Sequence, residues 1–400
     1  MLEFHSASVR MANPQRAMLE CLEAALGASG TGCDLLIINA SVGHDLAALS
    51  AQAQASCPGI RVVGASCAGV VGREGVSESM NDVAVMAIRG QDFVLSHVDG
   101  LCGDNAYEKG LALAEGLFRS GPPVNMVYLI APGINNASDL IIRALEQRLG
   151  CGVTLFGATS GDNMRAVATF QSVDGRVYQH AAFAVGFCDP TLEVVTHATH
   201  GFVAVGDPLV VTRAQGHRIL ALDGKPAWPE YLARLGLPAQ ATIADSSPIG
   251  ALAERLPAAQ AAAYGNEHIL RAVTLHDPDG AMHYPTTCAE GTPLWLTVRS
   301  EERIFNDLDR MLQAMQAEAG GRKPVAVFQA DCGARGRLLF NRVMKEELIQ
   351  RLQHPFSTDG AAPPWLGMYG FGEYARLAGV NTYHNYTTAI AALYRRPMAV

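Results

Sequence analysis

The chain of 400 residues has few positive charges: 30 lysines and arginines stand against 38 aspartates and glutamates, and the formal net charge is −8. No long block of like charges occurs along it. Because nucleic-acid binding needs a basic face, we do not expect the protein to bind DNA or RNA.

Long apolar runs are also lacking. One of the longest, residues 126–131, is far shorter than the roughly 20 residues that a membrane-spanning helix needs. The N-terminus contains an acidic residue, Glu3, and no continuous apolar core, so it does not resemble a secretory signal. We therefore expect a soluble, cytoplasmic protein without a membrane partner.

No two cysteines stand in C-x-x-C spacing, and the nine cysteines form an odd number. This pattern argues against a disulfide framework and a zinc ribbon, and it favours free thiols in a reducing compartment. A Walker A motif, a dinucleotide-binding fingerprint in its proper context, an H-E-x-x-H motif and a kinase signature are absent too. We therefore expect none of the chemistries that these motifs support.

What the chain does contain is apolar mass: 49% of the residues are hydrophobic and 17% are charged, which suits a folded globule with large cores. Its length favours two domains. Buried strands alternate with helices up to Gly150, and hairpin signals follow. We predict an α/β (mixed α+β) fold of two domains, each a mixed β-sheet with packed helices. One expected hairpin has strands over 166–173 and 176–185 around Asp174-Gly175.

Two glycine turns follow predicted strands. Residues 64–69 have G-x-S-x-x-G spacing and include Cys67, and residues 157–161 have G-x-T-x-G spacing around Thr159. Both resemble a nucleophile elbow, but the first has the wrong spacing and the second precedes a strand rather than a helix. We favour tight turns at strand ends, where ligands bind in open α/β sheets.

Two histidines, His197 and His200, have H-x-x-H spacing. In the strand that their surroundings predict, an offset of three places them on opposite faces, so a joint metal site is not expected. Either imidazole alone could act as a haem axial ligand. The favoured alternative is a histidine that is hydrogen-bonded to neighbouring backbone.

A glycine-bounded turn at 331–336, "DCGARG", follows a predicted core strand at 325–328. Arg335 supplies a permanent fork of donors for a carboxylate or a phosphate. The alternative is an internal ion pair, for example with Glu373. The residues themselves leave both possibilities open.

Near the C-terminus, "YHNYT" at 383–387 follows the glycine-rich "GMYGFGE" at 367–373. No nucleophile is adjacent to His384, and Asn385 suits a turn, so these stretches predict a polar pocket wall rather than a reactive centre. We expect Thr387 to cap a helix over 388–393. The candidate ligand-binding residues are Arg335, Glu373, Tyr383, His384 and Asn385.

Several stretches together resemble the FIST family of bacterial sensory and signal-transduction proteins, which have paired FIST-N and FIST-C regions. They are "VVGASCAGVVG" (62–72), "LFGATSGDN" (155–163), the joining passage 206–236, "VFQADCGARGRL" (327–338) and "GMYGFGEYARLAGVNTYHNYT" (367–387). The resemblance covers about residues 30–395. It implies an N-terminal segment at 1–29, a FIST-N-like α/β domain at 30–222 and a FIST-C-like α/β domain at 223–395.

The resemblance implies a ligand-sensing protein that acts on a separately encoded partner, since no output domain is recognisable. One branch of the family consists of haem-binding nitric-oxide sensors that regulate a histidine kinase, and a stand-alone chain of this length is similar to it. For that branch the cofactor is haem b, and His200 and His384 are the axial candidates. The expected partner is a histidine kinase or another two-component protein, and a homo-oligomer is compatible with this picture.

Two alternatives remain. In the first, the protein is an enzyme in which Cys67, Thr159 or Cys332 attacks a small anionic substrate, with His384 or Glu373 as base and Arg335 holding the anion. A cysteine within hydrogen-bond reach of a histidine would support it. In the second, the chain is a scaffold without a ligand.

Overall fold

The computed structural model describes residues 1–27, 32–119, 121–336 and 341–397, except for the side chains of residues 342 and 343. The helices, in chain order, are α1 (Pro14–Leu26), α2 (Leu46–Ser56), α3 (Ala106–Arg119), α4 (Ser138–Leu149), α5 (Ala227–Arg234), α6 (Ile243–Ser246), α7 (Ala258–Tyr264), α8 (Glu301–Ala319) and α9 (Arg342–Gln353). Short 3-10 helices cover Gly103–Asn105, Gly333–Arg335 and His354–Phe356.

The strands form four sheets of mixed or antiparallel pairing in this part of the chain. In chain order they are β1 (Glu3–Arg10), β2 (Leu35–Ser41), β3 (Arg61–Cys67), β4 (Val70–Gly72), β5 (Gly75–Ser77), β6 (Asp82–Arg89), β7 (Phe93–Val98), β8 (Met126–Ala131), β9 (Thr154–Thr159), β10 (Gln171–Val173), β11 (Arg176–Tyr178), β12 (Ala182–Phe187), β13 (Leu192–Thr199), β14 (Phe202–Gln215), β15 (Arg218–Leu222), β16 (Lys225–Pro226), β17 (Leu252–Arg255), β18 (His268–Arg271), β19 (Leu275–His276), β20 (Met282–His283), β21 (Pro293–Arg299), β22 (Ala326–Cys332), β23 (Trp365–Gly370), β24 (Gly372–Leu377), β25 (Val380–His384) and β26 (Thr388–Arg395).

The first sheet, in the order β1-β6-β2-β3-β10-β11, consists of N-terminal strands only. Strand β2 is buried along its whole length, as its apolar sequence requires. Helix α1 begins where Asn13 accepts a hydrogen bond from the Arg16 N–H and where proline takes the first helical position. Strand β1 and helix α1 thus lie within the predicted N-terminal segment and belong to the first sheet and its packing.

The second and third sheets each combine strands from both halves of the chain. The second has the order β25-β24-β9-β8-β12-β7, and the third has the order β13-β26-β22-β23-β4-β5. Between them lies an aromatic core, in which the Tyr128 and Phe156 rings are 5.2 and 5.3 Å from the Phe328 ring. The fourth sheet, β18-β17-β21-β14-β15-β20-β19 with β16 beside β15, is antiparallel and carries α5.

The predicted mixed α+β class with two domains is confirmed by this arrangement. The predicted domain boundaries stay predictions, and the one between residues 29 and 30 lies outside the described residues. The sequence also suggests a helix over 337–352. In the structure α9 begins at Arg342, where the Asn341 side chain accepts a hydrogen bond from the Met344 N–H, and residues 337–340 lie outside the described residues. In the described ranges, no helix combines the length and the apolar character that crossing a membrane requires.

The predicted hairpin around Asp174-Gly175 has the right turn but the wrong strands. Both turn residues have positive φ, as a type I′ turn requires, but only β10 and β11 pair across them. Residues 182–187 form β12 in another sheet. The preceding segment is a loop because the Asp162 carboxylate accepts hydrogen bonds from the backbone N–H groups of residues 165–168, at 2.8–3.4 Å.

The predicted helix over 388–393 was wrong, since these residues lie in strand β26. The strand is central in its sheet and pairs with β13 on one side and β22 on the other. An apolar run that is buried on both faces has the same composition in a helix and in a central strand, so periodicity cannot distinguish the two.

Candidate ligand-binding site

The motifs noted in the sequence meet where parallel strands end. The pairs β2–β3, β8–β9 and β22–β23 are parallel, so their carboxyl ends lie at one edge of each sheet. Ser66 and Gly161 connect two of these ends: the Gly161 N–H donates to the Ser66 carbonyl at 2.9 Å, and the Ser66 hydroxyl donates to the Gly161 carbonyl at 2.8 Å. Both of these turns lie in the N-terminal half of the chain, and the Ala68 N–H joins them to the C-terminal half by donating to the Tyr369 carbonyl at 2.9 Å.

Glycine allows the close approach of these backbones. A Cβ atom on Gly370 would lie 2.3 Å from the Thr159 carbonyl oxygen, a distance that side chains do not tolerate. The next residue, Phe371, donates its N–H to the same carbonyl at 3.2 Å. The end of β23 can thus lie directly on the end of β9 only because residue 370 has no side chain.

A cavity opens at this junction. It has an empty volume of about 400 Å³ including its mouth, and about 30 Å³ of that is available to the centres of water molecules. Since one water needs roughly 10–15 Å³ by this measure, the cavity holds two or three waters or a small organic molecule. The eleven lining residues are Met164, Ala166, Ile243, Ser247, Ala272, Val273, Thr274, Cys332, Ala334, Phe371 and Tyr386. None of these side chains carries a charge.

Three lining residues have a strained backbone. Met164, Ala166 and Tyr386 have φ angles of 63, 53 and 54°, in the left-handed region that side chains disfavour. Tyr386 is held by a hydrogen bond from its hydroxyl to the Ser247 carbonyl at 2.8 Å. Strained residues persist where surrounding structure fixes them, and they cluster at ligand sites.

Arg335 lies directly beside the cavity-lining Ala334 and is completely enclosed. Its Nε donates to the Asp331 carboxylate at 3.0 Å and its Nη1 donates to the His200 carbonyl at 3.0 Å, with 1% of the side chain exposed in both members of the ion pair. Gln329 adds a bond to the same carboxylate. Burial raises the pKa of the Asp331 carboxyl, and Arg335 opposes this shift. The internal ion pair considered for Arg335 exists, with Asp331 as the partner.

Glu373 is buried beside this pair without an equivalent partner. In the described ranges, neither carboxyl oxygen has a group in hydrogen-bond geometry, although the Thr387 N–H and the Cys332 thiol lie nearby. Burial, and secondly the negative charge of Asp331, raise the pKa of Glu373 well above its ordinary value. Both effects favour the protonated, neutral form of the carboxyl group.

The two histidines considered as haem ligands, His200 and His384, lie in the same buried region, one on each side of Tyr264. The ring of Tyr264 is 5.2 Å from the His200 ring and 5.1 Å from the His384 ring. His200 accepts the Phe202 N–H at Nδ1 and is bonded through Nε2 to the His268 carbonyl. Burial lowers the pKa of His200 to about 3 and the pKa of His384 well below its ordinary value.

Haem ligation needs a free imidazole nitrogen that faces a cavity. Both nitrogens of His200 are engaged, and those of His384 are bonded to the Thr382 hydroxyl at 2.7 Å and the Tyr264 hydroxyl at 3.2 Å. Neither histidine lines the cavity. As arranged, the two residues do not fit axial ligation, and haem binding itself stays a prediction. His197 lies apart and is bonded to Glu318.

Tyr383 and Asn385 fix the turn at the cavity floor. The Asn385 amide donates to the Phe371 carbonyl at 2.6 Å, and its oxygen accepts the Ala272 N–H at 3.0 Å. The Tyr383 hydroxyl lies 3.4 Å from the Thr159 hydroxyl. Asn385 therefore positions two residues that line the cavity, Phe371 and Ala272, and neither Asn385 nor Tyr383 lines it.

The three nucleophile candidates lack activation. Burial raises the pKa of the Cys67 thiol to about 12 and raises that of Cys332 well above its ordinary value. Neither thiol has a histidine in hydrogen-bond contact within the described ranges, and Thr159 contacts a tyrosine hydroxyl rather than a base. A thiol that stays protonated is a poor nucleophile.

All six residues singled out as ligand-binding or haem-axial candidates are buried in one region, but they form the layer behind the cavity rather than its wall. Sequence reasoning missed Tyr264, which connects the two histidines, and it missed Met164, Ile243 and Ala272 at the wall. These are small or apolar residues in loops and short elements, and they carry no motif. No local signal could have identified them.

Comparison with known proteins decides the family. Residues 34–225 match the FIST N domain, and residues 227–376 match the FIST C domain. The chain is a FIST domain protein. Its two matched domains meet at the cavity, where Met164 and Ala166 come from the FIST N domain and Ile243 comes from the FIST C domain. FIST domains indicate a sensory role in signal transduction and point to small-molecule ligands and signalling partners.

Two proteins of Mycobacterium tuberculosis, from two strains, are among the relatives of this FIST protein. Each is 24% identical over 356 residues, which cover 86% of this chain and 86% of the relative. Both are named only as uncharacterized proteins. The similarity therefore covers most of both chains, and the names of these relatives identify no ligand.

Proposed function

We propose that this protein is a cytoplasmic sensor in which a small molecule binds the cavity between the FIST N and FIST C domains. Binding changes how the protein docks on a two-component signalling partner such as a histidine kinase. The observation that carries the proposal is that one cavity is walled by both domains, with Met164 on one side and Ala272 on the other.

A ligand in the cavity between the two domains can change the conformation of the protein. A ligand shifts a conformational equilibrium only as far as it binds one state better than the other. A molecule that touches both domains binds best when they are closed on it. The strained residues Met164, Ala166 and Tyr386 are positions at which a change of backbone conformation would release strain.

The decisive experiment is a thermal-stability screen of the purified protein against small molecules. A ligand of the folded state must stabilise it, by about 2.7 kcal/mol at a concentration of 100 times its Kd. The variant Ala272→Leu fills the cavity and should abolish the stabilisation. Ala51→Leu makes the same change at an exposed position of helix α2 and should leave it intact.

Binding that survives in Ala272→Leu would refute the cavity as the site. Haem is included in the screen through the absorbance spectrum of protein isolated from cells supplied with iron and a haem precursor. A Soret band that changes in His200→Ala or His384→Ala would overturn the assignment of these histidines to structure.

A further inference from the structure

Glu373 is an acid that the fold does not explain. It has no exposed surface, and within the described ranges neither carboxyl oxygen accepts a hydrogen bond of standard geometry, although the Thr387 N–H and the Cys332 thiol are donors close by. Buried polar groups in native proteins are nearly always paired, because an unpaired one costs free energy. Its neighbour Arg335 is engaged by Asp331 and by a backbone carbonyl. An unpaired group at such a site indicates a partner that arrives from outside.

The carboxyl group of Glu373 has neighbours that line the cavity or adjoin its lining. Cys332, whose thiol is close enough to Glu373 to affect its ionisation, lines the cavity. On the other side, the Thr387 N–H that faces Glu373 follows Tyr386, which also lines the cavity. The Cys332 side chain thus borders both the cavity and the Glu373 carboxyl group, and a rotation of that side chain would bring a ligand in the cavity towards the acid.

The side chains that line the cavity favour a positively charged ligand over an anion. The lining offers an anion no cation, whereas the aromatic rings of Phe371 and Tyr386 attract positive charge. The remaining lining is mainly aliphatic, with Ile243 and Val273 as its larger members. The cavity thus suits a small molecule that has an apolar chain and a positively charged group.

We propose that the ligand is a small organic amine in its ammonium form, and that Glu373 becomes its carboxylate partner. This inference rests on the proposed function, since it names the ligand class of the same cavity. The step balances without a covalent change: the neutral acid of Glu373 gives its proton to solvent, and the resulting carboxylate pairs with the incoming ammonium ion. Binding at pH 7 should therefore release about one proton per ligand.

The charged and titratable groups around Glu373 permit this exchange. They are Asp331, Arg335, Cys332, Tyr264 and Tyr383. His384 is directly opposite Glu373 in the β24–β25 pair, and burial lowers the pKa of its imidazole, which favours the neutral form. Asp331 and Arg335 already compensate each other as an ion pair. Burial raises the pKa of Cys332, Tyr264 and Tyr383, so the thiol and both phenols stay neutral. The ammonium ion is then the counter-charge that makes ionisation of Glu373 favourable.

The test uses three probes of the same length: n-butylamine, 1-butanol and butyrate. Isothermal titration calorimetry at pH 7, in phosphate and in MOPS, a bulkier zwitterionic buffer with a different ionisation enthalpy, gives the affinity and the number of protons released. We expect n-butylamine to bind with release of about one proton, 1-butanol to bind weakly with none, and butyrate not to bind.

The variant Glu373→Gln copies the shape of the neutral acid and should fold normally, which the thermal midpoint checks. It should lose amine affinity about 30-fold or more, because one member of a buried charge pair is gone, and its proton release should vanish while 1-butanol binding is unchanged. Glu267→Gln alters an exposed acid and is the matched control.

Amine binding without proton release, or amine affinity that persists in Glu373→Gln, would overturn the inference. Preference for 1-butanol or butyrate, with binding lost in Ala272→Leu, would overturn the amine assignment and leave the cavity as the sensory site. If none of the three probes binds, the amine assignment falls, and the screen with Ala272→Leu decides the sensor proposal separately.

Discussion

Replacing Arg335 by methionine tests the most completely buried ion pair of the candidate site. Arg335 donates to Asp331 and to the His200 carbonyl, each at 3.0 Å, and 1% of its side chain and of the Asp331 side chain is exposed. Methionine keeps much of the apolar stem and removes the charge. The carboxylate of Asp331 is then left inside the protein with only uncharged hydrogen-bond partners such as Gln329.

The expected loss of stability follows from the buried charge of Asp331, which no longer has an ion-pair partner. Breaking a buried ion pair by removing one partner destabilises a protein by about 3–5 kcal/mol. We expect a loss of about 4 kcal/mol at pH 7. Because burial already raises the pKa of Asp331, loss of Arg335 raises it further. The folded variant then binds a proton that the unfolded chain does not, so its penalty should be smaller at pH 5 than at pH 8.

Urea unfolding followed by tryptophan fluorescence and circular dichroism measures this difference. Arg255→Met is the control: it breaks the pair with Glu267, in which 65% and 69% of the side chains are exposed, and it should cost at most about 1 kcal/mol. The double variant Asp331→Asn/Arg335→Met should recover about 2 kcal/mol, since no charge is stranded. A single variant as stable as the control, or a double variant no better than the single one, would refute this reasoning.

Three further predictions concern the same region. Because the folded pKa of His200 is about 3, below the unfolded value of 6.5, the unfolded chain binds more protons in this window. Stability should fall as the pH drops below 6.5, by about 2 kcal/mol at pH 5 from this group, and unfolding of His200→Gln should show a flatter pH profile. Iodoacetamide at pH 8 should label the exposed Cys151 in the native protein and leave Cys67 and Cys332 unmodified by mass spectrometry. Gly370→Ala should lower stability by about 1–3 kcal/mol, because its Cβ would meet a carbonyl oxygen of β9 at 2.3 Å.

Each of these has a clear contrary result. An unchanged pH profile in His200→Gln would mean that this imidazole is not the group that titrates. Selective labelling of Cys67 or Cys332 would reveal an activated thiol and revive the enzyme alternative. For the glycine, Gly152→Ala is the control, since a Cβ there meets nothing within 4 Å. Equal thermal midpoints for Gly370→Ala and Gly152→Ala would show that the two strand ends are not in close contact.

The C-terminal motif shows how far local sequence can predict a site. Asn385 was expected to bond loose backbone, and it does so at Phe371 and Ala272. The carbonyl of Phe371 is 14 residues away from Asn385 in sequence and the N–H of Ala272 is 113 residues away, so only the tertiary structure could identify them as partners. The helix predicted after Thr387 failed for the same reason, because its neighbours β13 and β22 come from distant parts of the chain.

The loop after Asp162 shows the opposite case. Its sequence was interpreted as a strand, since Ala166 to Val173 is rich in small and β-branched residues. One buried carboxylate outweighs that propensity by binding four successive N–H groups that a sheet would otherwise need to satisfy. The result places Met164 over Gly333 at the cavity wall.

The sequence by itself determined the fold class, the absence of common catalytic motifs and the glycine turns at strand ends, because apolar periodicity, motif spacing and backbone freedom are local properties. Only the tertiary structure decided which side chains meet. It paired Arg335 with Asp331, engaged His200 and His384 in hydrogen bonds and left Glu373 without one. Such outcomes depend on how strands that are distant in sequence pack together, and no local sequence pattern indicates that packing.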